Sequence, residues 1–190
     1  YSYSASLNYI FKSGSDGYNT FRIPSLVTTS SGVVLAFAEG RKNSSSDSGD
    51  IDLVLKRSLD GGNSWGDMII IRDDGLNVCG NPSPVIDERN GKIFLLSTWN
   101  KGDDSESEII NMKSLDTRRV YVMSSEDEGL TWSKPREITR SVKKPNWTWY
   151  ATGPVHGIQI KKGNKKGRMI ISCDHIEEKT KKYYSHVIYS

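Results

Sequence analysis

Apolar residues along this chain come in short runs with the two-residue period of strands, and no stretch repeats them at i, i+3, i+4 and i+7 over a full helical length. Runs rich in Val, Ile, Leu and Tyr cover residues 25–29 (SLVTT), 32–40 (GVVLAFAEG), 51–58 (IDLVLKRS), 67–72 (DMIIIR) and 82–87 (PSPVID). They continue at 92–99 (KIFLLSTW), 118–125 (RRVYVMSS), 157–162 (GIQIKK), 168–173 (RMIISC) and 185–190 (SHVIYS). Turn chemistry separates them: Ser30-Ser31-Gly32, Asp60-Gly61-Gly62, Asn90-Gly91, Glu128-Gly129 and Lys162-Gly163-Asn164. Residues 105–115 fit either a short helix or a long polar loop. The pattern predicts an all-β chain of many hairpins, hence a sandwich, a barrel or a propeller.

An internal repeat narrows the choice. Ser58-Leu59-Asp60-Gly61-Gly62-Asn63-Ser64-Trp65 and Ser125-Glu126-Asp127-Glu128-Gly129-Leu130-Thr131-Trp132 share the pattern S-x-D-x-G-x-[ST]-W, with aspartates 127 − 60 = 67 residues apart. Each copy follows a strand. The Asp carboxylate can accept bonds from turn N–H groups, Gly62 and Gly129 can take φ > 0, and Trp65 and Trp132 return on the next strand to bury a ring. Ser58, Asp60, Gly62 and Trp65, with Ser125, Asp127, Gly129 and Trp132, thus read as structural staples. Ser190 falls 190 − 125 = 65 residues after the second opening serine, so a third box is expected to begin where the sequence stops.

Composition changes this picture little. The 190 residues are 35% hydrophobic and 26% charged, ordinary for a globular chain and wrong for a disordered or collagen-like one. Length alone predicts one domain. Net charge is 26 − 23 = +3, too small to point to nucleic acid, and the basic runs at 161–168 and 179–182 read as solvated hairpin ends. No run approaches the about 18 apolar residues of a membrane helix, and the N-terminus YSYSASLNYIF has no signal-peptide pattern. Either a cytoplasmic protein or a mature exported form is expected. Cys79 and Cys173 lack C-x-x-C spacing, and the three histidines lack metal-ligand spacing, so no metal or cofactor is expected. The acidic loop Asp47-Ser48-Gly49-Asp50-Ile51-Asp52 lacks the glycine placement of an EF-hand, although its carboxylates leave a calcium reading open. HExxH, GxGxxG, phosphate-loop and GxSxG motifs are absent.

The remaining candidates cluster in the first fifty residues. Thr20-Phe21-Arg22-Ile23-Pro24-Ser25 sets an arginine in an apolar strand start, and Ala38-Glu39-Gly40-Arg41 leaves a strand toward a polar loop carrying Asp47. An isolated strand arginine usually lays its stem on the core and its head in water. Held on a stiff strand, it can instead grip a carboxylate bidentately. A carboxyl on a mobile loop over such a cationic pocket can donate a proton to a leaving group.

FRIPSLV at 21–27, EGR at 39–41, a loop aspartate and the two boxes together resemble the opening of the sialidase (neuraminidase) family of bacterial and animal exo-sialidases. Asn81-Pro82-Ser83-Pro84-Val85-Ile86-Asp87 and the run from Trp149 to Ile158, with its Gly153-Pro154, are similar to later stretches of that family, so the likeness extends from about residue 7 to the C-terminus. The resemblance implies a six-bladed β-propeller, of which residues 1–190 form roughly the first three blades of one catalytic domain without an internal boundary. It implies removal of terminal sialic acid from glycoproteins, glycolipids or oligosaccharides with retention, in a secreted, periplasmic or cell-surface setting. Arg22 then matches an arginine that holds the sialic carboxylate, Arg41 one that contacts the ring near its 4-hydroxyl, and Asp47 the general acid/base. Asn81 stands where some members place an aspartate facing that hydroxyl, and Val155 where the family has glycine. Trp99, Trp149 and Tyr150 are candidate walls of the substrate pockets.

Sialidases depart from most glycosidases in using a tyrosine nucleophile. Nothing in residues 1–190 matches that tyrosine, its glutamate partner or the two further arginines, so the segment alone is expected to be inactive. An ordinary aspartic acid, with a pKa near 3.9, is ionised at neutral pH, so acid catalysis calls for a site favouring the neutral form or for mildly acidic conditions. Two other readings stand beside the hydrolase: a non-catalytic glycan-binding propeller that kept its Asp boxes, and a trans-sialidase differing in its acceptor loops.

Overall fold

A computed structural model describes residues 7–190; the first six residues of the N-terminal stretch read above for a signal peptide lie outside that range. The chain is all-β. Strands β1 (Thr20–Thr28), β2 (Val34–Arg41), β3 (Ile51–Ser58) and β4 (Ile69–Arg72) form an antiparallel meander. A second follows in β5 (Val78–Asp87), β6 (Lys92–Asn100), β7 (Arg119–Ser125) and β8 (Arg136–Glu137). One parallel pair, Ile51 with Val78, links the two into an eight-stranded sheet. The third meander is a separate sheet in which β9 (Trp147–Thr152) and β10 (Ile158–Gln159) lie along successive parts of β11 (Met169–Glu177), followed by β12 (Tyr183–Tyr189). The five turn signals join β1–β2, β3–β4, β5–β6, β7–β8 and β10–β11.

Side-chain alternation explains how the sheets stack. Leu35, Phe37, Leu53 and Leu55 of the first meander pack against Cys79, Ile93, Leu95 and Met123 of the second. The neighbouring Leu96 points the other way, joining Val85 and Val120 against Tyr150, Ile171 and Cys173 of the third. Val54, between Leu53 and Leu55, faces Tyr18 and Ala38 on the far side of the first meander. Both sides of the middle strands are therefore apolar, which is why β2 and β3 read as nearly continuous hydrophobic runs.

The two boxes fold alike. Ser58 Oγ donates to Asp60 Oδ1 (2.7 Å) and accepts from Gly62 N (2.8 Å), and Asp60 Oδ1 takes Ser64 N (2.9 Å). In the second copy the matching distances are 2.8, 2.9 and 2.9 Å through Ser125, Asp127, Gly129 and Thr131. Hydrogen bonds, led by the Ser64 hydroxyl, hold Asp60 down at about 2. The second box is wedged against the first meander: Trp132 meets the edge of Phe37 with ring centroids 5.9 Å apart, and Arg57 Nε donates to the Glu128 carbonyl (2.9 Å). It thus ties one meander to the next.

Of the two alternatives for residues 105–115, the chain takes the short helix, α1 (Glu106–Ile110), started by a capping box in which the Ser105 hydroxyl and Glu108 carboxylate serve each other's backbone N–H. Two elements depart from the sequence reading. A second short helix, α2 (Thr139–Val142), carries no periodic signal because none of its side chains is buried. Residues 147–152, not among the predicted strands although the run from Trp149 to Ile158 resembles a family stretch, form the full strand β9.

Candidate active site

The first strand of each meander is interrupted at one Pro, preceded by a residue of positive φ: Ile23-Pro24 (φ 54°), Asn81-Pro82 (φ 52°) and Gly153-Pro154 (φ 84°). Pro cannot donate to the ladder, and the left-handed residue before it breaks the strand's alternation. Pairing slips between Arg22 and Ser25 in β1 and between Gly80 and Ser83 in β5. A left-handed Ile is costly for a β-branched residue, and such strain gathers where a fold must aim a side chain. The three breaks converge on one cleft of about 300 Å³. Arg22, Ile23, Asn81 and Pro154 line it beside Glu39, Arg41 and Asp47; Arg118, Trp149, Asp174 and Glu106 complete the wall. A larger depression of about 680 Å³ between Leu26–Ser30, Val85–Glu88 and residues 156–161 offers few charges and no convergent set.

Arg22, Arg41 and Asp47, adjacent only in the sequence argument, meet at one carboxylate oxygen. Asp47 Oδ1 accepts from Arg22 Nη1 (3.0 Å) and from Arg41 Nη2 (2.7 Å). Arg22 and Asp47 are half exposed, while Arg41 is buried. All five N–H groups of Arg41 are engaged: Nε and Nη2 hold Glu39 Oε2 (3.1 and 2.5 Å), Nη2 also holds Asp47, and Nη1 holds the carbonyls of Ser45 and Ser46 (2.7 and 2.8 Å). This corrects two expectations. Arg41 has no donor left for a sugar in this arrangement, and the Asp47 loop is bolted to it rather than free. Arg22, by contrast, keeps two of its three guanidinium nitrogens unpartnered among the described residues.

Glu39 is the hub that sequence reasoning missed. Buried beneath Arg41, it uses Oε1 to take the Asn81 N–H (2.8 Å), so one carboxylate fixes both the Asp47 loop and the β5 break. Gly80 makes the room: a Cβ there would sit 2.8 Å from Glu39 Oε1. Gly40 likewise lies flat on the Tyr18 ring, whose hydroxyl donates to Asp52 (2.6 Å). The acidic loop residues Asp50 and Asp52 both face the Lys42 ammonium, at 3.3 and 3.2 Å. Among the described residues no group of three or more His, Cys, Asp or Glu is arranged to hold a metal ion.

Arg118 forms the cleft floor. Its guanidinium is buried and donates to the Tyr150 carbonyl (2.9 Å), to Asn100 Oδ1 and to Asn81 Oδ1, with the Trp149 ring 3.9 Å away over its face. Among the described residues it has no ion pair, and burial lowers it to about 10, so it stays charged at neutral pH. Behind it, Lys143 donates to the Arg118 and Thr148 carbonyls (2.8 and 2.9 Å), and burial beside Arg118 pushes it down to about 7. Burial pushes the Asp174 carboxyl up, against the pull of Arg118. The sequence hid Arg118 because an Arg-Arg pair at a strand start reads as solvated.

Strand parity decides among the aromatic candidates. Trp149 and Ala151 face the cleft, whereas Tyr150 between them is fully buried among Leu96, Val120 and Cys173. Trp99 packs against the first core and donates its indole N–H to Asp74 (2.6 Å), away from the lining. Neither Trp99 nor Tyr150 is therefore a cleft wall. Val155 adopts φ 66°, so its backbone keeps the left-handed geometry a glycine would take there.

Comparison with known proteins places these features. A family model described as a BNR repeat-like domain matches residues 32–190. An exo-alpha-sialidase of Aspergillus fumigatus is 37% identical over 164 residues, covering 77% of this chain and 40% of the relative. The solved structure of a Hadza microbial sialidase is 31% identical with a TM-score of 0.83, covering 94% of this chain and 36% of that one. A leech intramolecular trans-sialidase shares the fold at 17% identity and a TM-score of 0.76, over 98% of this chain and 46% of that one. The chain thus spans about two fifths of the curated relative's length.

Proposed function

The chain belongs to the sialidase family, with its BNR repeat-like domain, and from that premise we propose that the whole protein is an exo-α-sialidase removing terminal sialic acid from glycans with retention. In this reading the three meanders are successive blades of a six-bladed propeller, residues 1–190 are the N-terminal part of its catalytic domain, and its substrates lie outside the cytoplasm. The observation that carries it is the meeting of Arg22, Arg41 and Asp47 at one cleft.

Losing the aglycone leaves a cationic sugar beside its own carboxylate. Arg22, half exposed with donors to spare, takes that carboxylate and fixes the ring. The charged floor of Arg118 favours the same anion. Asp47 protonates the leaving oxygen and later activates water. Since Asp47 rests on both Arg22 and Arg41, the incoming carboxylate competes for Arg22 and leaves Asp47 held by Arg41 alone, with its other oxygen turned to the leaving group. Arg41 and Glu39 keep the loop in place while Asn81 faces the ring's 4-hydroxyl. Among the described residues no tyrosine lines the cleft, so the nucleophile is assigned to the remainder of the protein. Incubating the full-length protein with 3′-sialyllactose tests this: free sialic acid is the expected product. Transferred or anhydro sugar would replace hydrolysis by trans-sialidase chemistry, and no cleavage would leave a glycan-binding propeller.

A further inference from the structure

Asp47 rides on a loop whose two limbs are tied down by different cations. Lys42 follows Arg41 at the end of β2, and strand alternation sends the two side chains to opposite sides of the sheet. Arg41 turns to the cleft and holds Asp47 and the carbonyls of Ser45 and Ser46. Lys42 turns away, to the side of Tyr18. Its N–H closes the neck of the loop on the Asp50 carbonyl (3.1 Å). Its ammonium reaches Asp50 Oδ1 (3.3 Å), Asp52 Oδ2 (3.2 Å) and Asp73 Oδ2 (3.6 Å). Asp52 is fully buried and takes the Tyr18 hydroxyl on that same oxygen, while its Oδ1 has no partner among the described residues. Asp50 and Asp52 pair with no other cation among the described residues. A single ammonium thus serves three carboxylates at the point where the loop returns to β3.

We propose that Lys42 is a positioning residue for the general acid: its ammonium holds the returning limb of the loop, so that Asp47 keeps its place once a substrate has taken Arg22 from it. The inference rests on the sialidase reading above, in which Asp47 is that acid, and adds a residue to it. Arg41 fixes the limb before Asp47. After Asp47 the chain is held by the Gly49 N–H on the Gly102 carbonyl (2.9 Å) and by Asp50 on Lys42. Without the ammonium, three carboxylates would face one another, with Asp52 dry and Asp50 nearly so. Like charges in such a place take up protons or move apart. Asp52 is fixed in the β3 ladder, whereas Asp50 stands just outside it, so the part that yields is the limb leading back to Asp47. A misplacement of about 1 Å can cost about 100-fold in rate. Here the cost falls on the step that needs the proton.

The test uses the full-length protein with Lys42→Met and, separately, Asp50→Ala. It compares kcat/KM on 3′-sialyllactose, whose leaving group needs a proton, with kcat/KM on a nitrophenyl sialoside, whose leaving group does not. Lys42→Met should lose about tenfold or more on sialyllactose and less than about threefold on the nitrophenyl sugar. Asp50→Ala strands no buried charge, because Asp52 keeps Lys42, so it decides the question if Lys42→Met does not fold. It should show the same selective loss, at about threefold or more on sialyllactose. Equal losses on the two substrates, or no loss on either, would overturn the proposal and leave Lys42 as a structural ion pair. A native protein that cleaves neither substrate would instead overturn the sialidase reading. Equal losses in Asp47→Ala would overturn the acid's assignment, and this inference falls with either.

Discussion

Replacing His186 should make the protein less sensitive to acid. His186 and His175 share a hydrogen bond between Nδ1 atoms (3.0 Å), His186 Nε2 meets the Tyr150 hydroxyl (3.1 Å), and Trp147 stacks on His175 with centroids 3.5 Å apart. Burial, and then the neighbouring His175, pull His186 down to about 4 from the usual 6.5; burial also lowers His175. A histidine with a lowered folded-state pKa is neutral when folded and charged when unfolded between those values. Its unfolded form therefore binds more protons, and stability is full above about pH 6.5 and lost as pH falls toward 4. For His186 alone the loss is about 0.2 kcal/mol at pH 7 and about 2 kcal/mol at pH 5. Urea unfolding of the full-length protein at both pH values, followed by tryptophan fluorescence, measures it, with Trp147 as a local reporter. In His186→Phe the drop between pH 7 and pH 5 should shrink by about 2 kcal/mol, whatever the change in absolute stability. An identical drop in native and variant protein would refute the assignment of acid sensitivity to this pair.

Two further substitutions probe the scaffold. Asp127→Ala strips the Thr131 N–H, the Thr131 hydroxyl and the Ser125 hydroxyl of their acceptor; it should cost about 1 kcal/mol, read from the urea midpoint, with no change in KM beyond error. A shift in KM alone would contradict the structural role of the box. Gly80→Ala drives a methyl group into Glu39 Oε1 at 2.8 Å, and Glu39 cannot retreat without releasing Arg41. About 1–3 kcal/mol of stability should be lost together with turnover, and a variant unchanged in both would show that Glu39 is not the hub described here.

Most of the architecture was readable because hairpins announce themselves locally. Asn90-Gly91 and the two boxes carry their turn geometry in their own residues, and strand alternation follows from which faces are apolar. Residues 147–152 were missed because the segment lacks the Val, Ile and Leu that mark the other strands, and the facing of the candidate walls Trp149 and Tyr150 depends on a register against β11 that a single-residue shift would invert. In the cleft, Arg22 and Asp47 were legible from a motif, yet the device that aims them was not. No propensity favours Ile23 at φ 54°; the conformation is imposed by tertiary packing. That three strands break at a residue before Pro becomes visible only once the strands are aligned in space. Glu39 and Arg118 escaped for a similar reason. Charged residues bordering strands read as solvated, and only the stacked sheets bury them.

The most direct test of the central claim is the effect of Asp47→Ala in the full-length protein on two substrates that differ in leaving group. From sialyl-lactose the lactose would leave as a poor alkoxide and needs the proton, whereas nitrophenolate leaves without one. The account predicts a loss of about 100-fold or more in kcat on sialyl-lactose, within the usual range for a general acid, and a loss below about tenfold on the nitrophenyl sialoside. Equal losses on the two substrates would contradict it, leaving Asp47 as the partner of Arg22 and Arg41 without an acid's role.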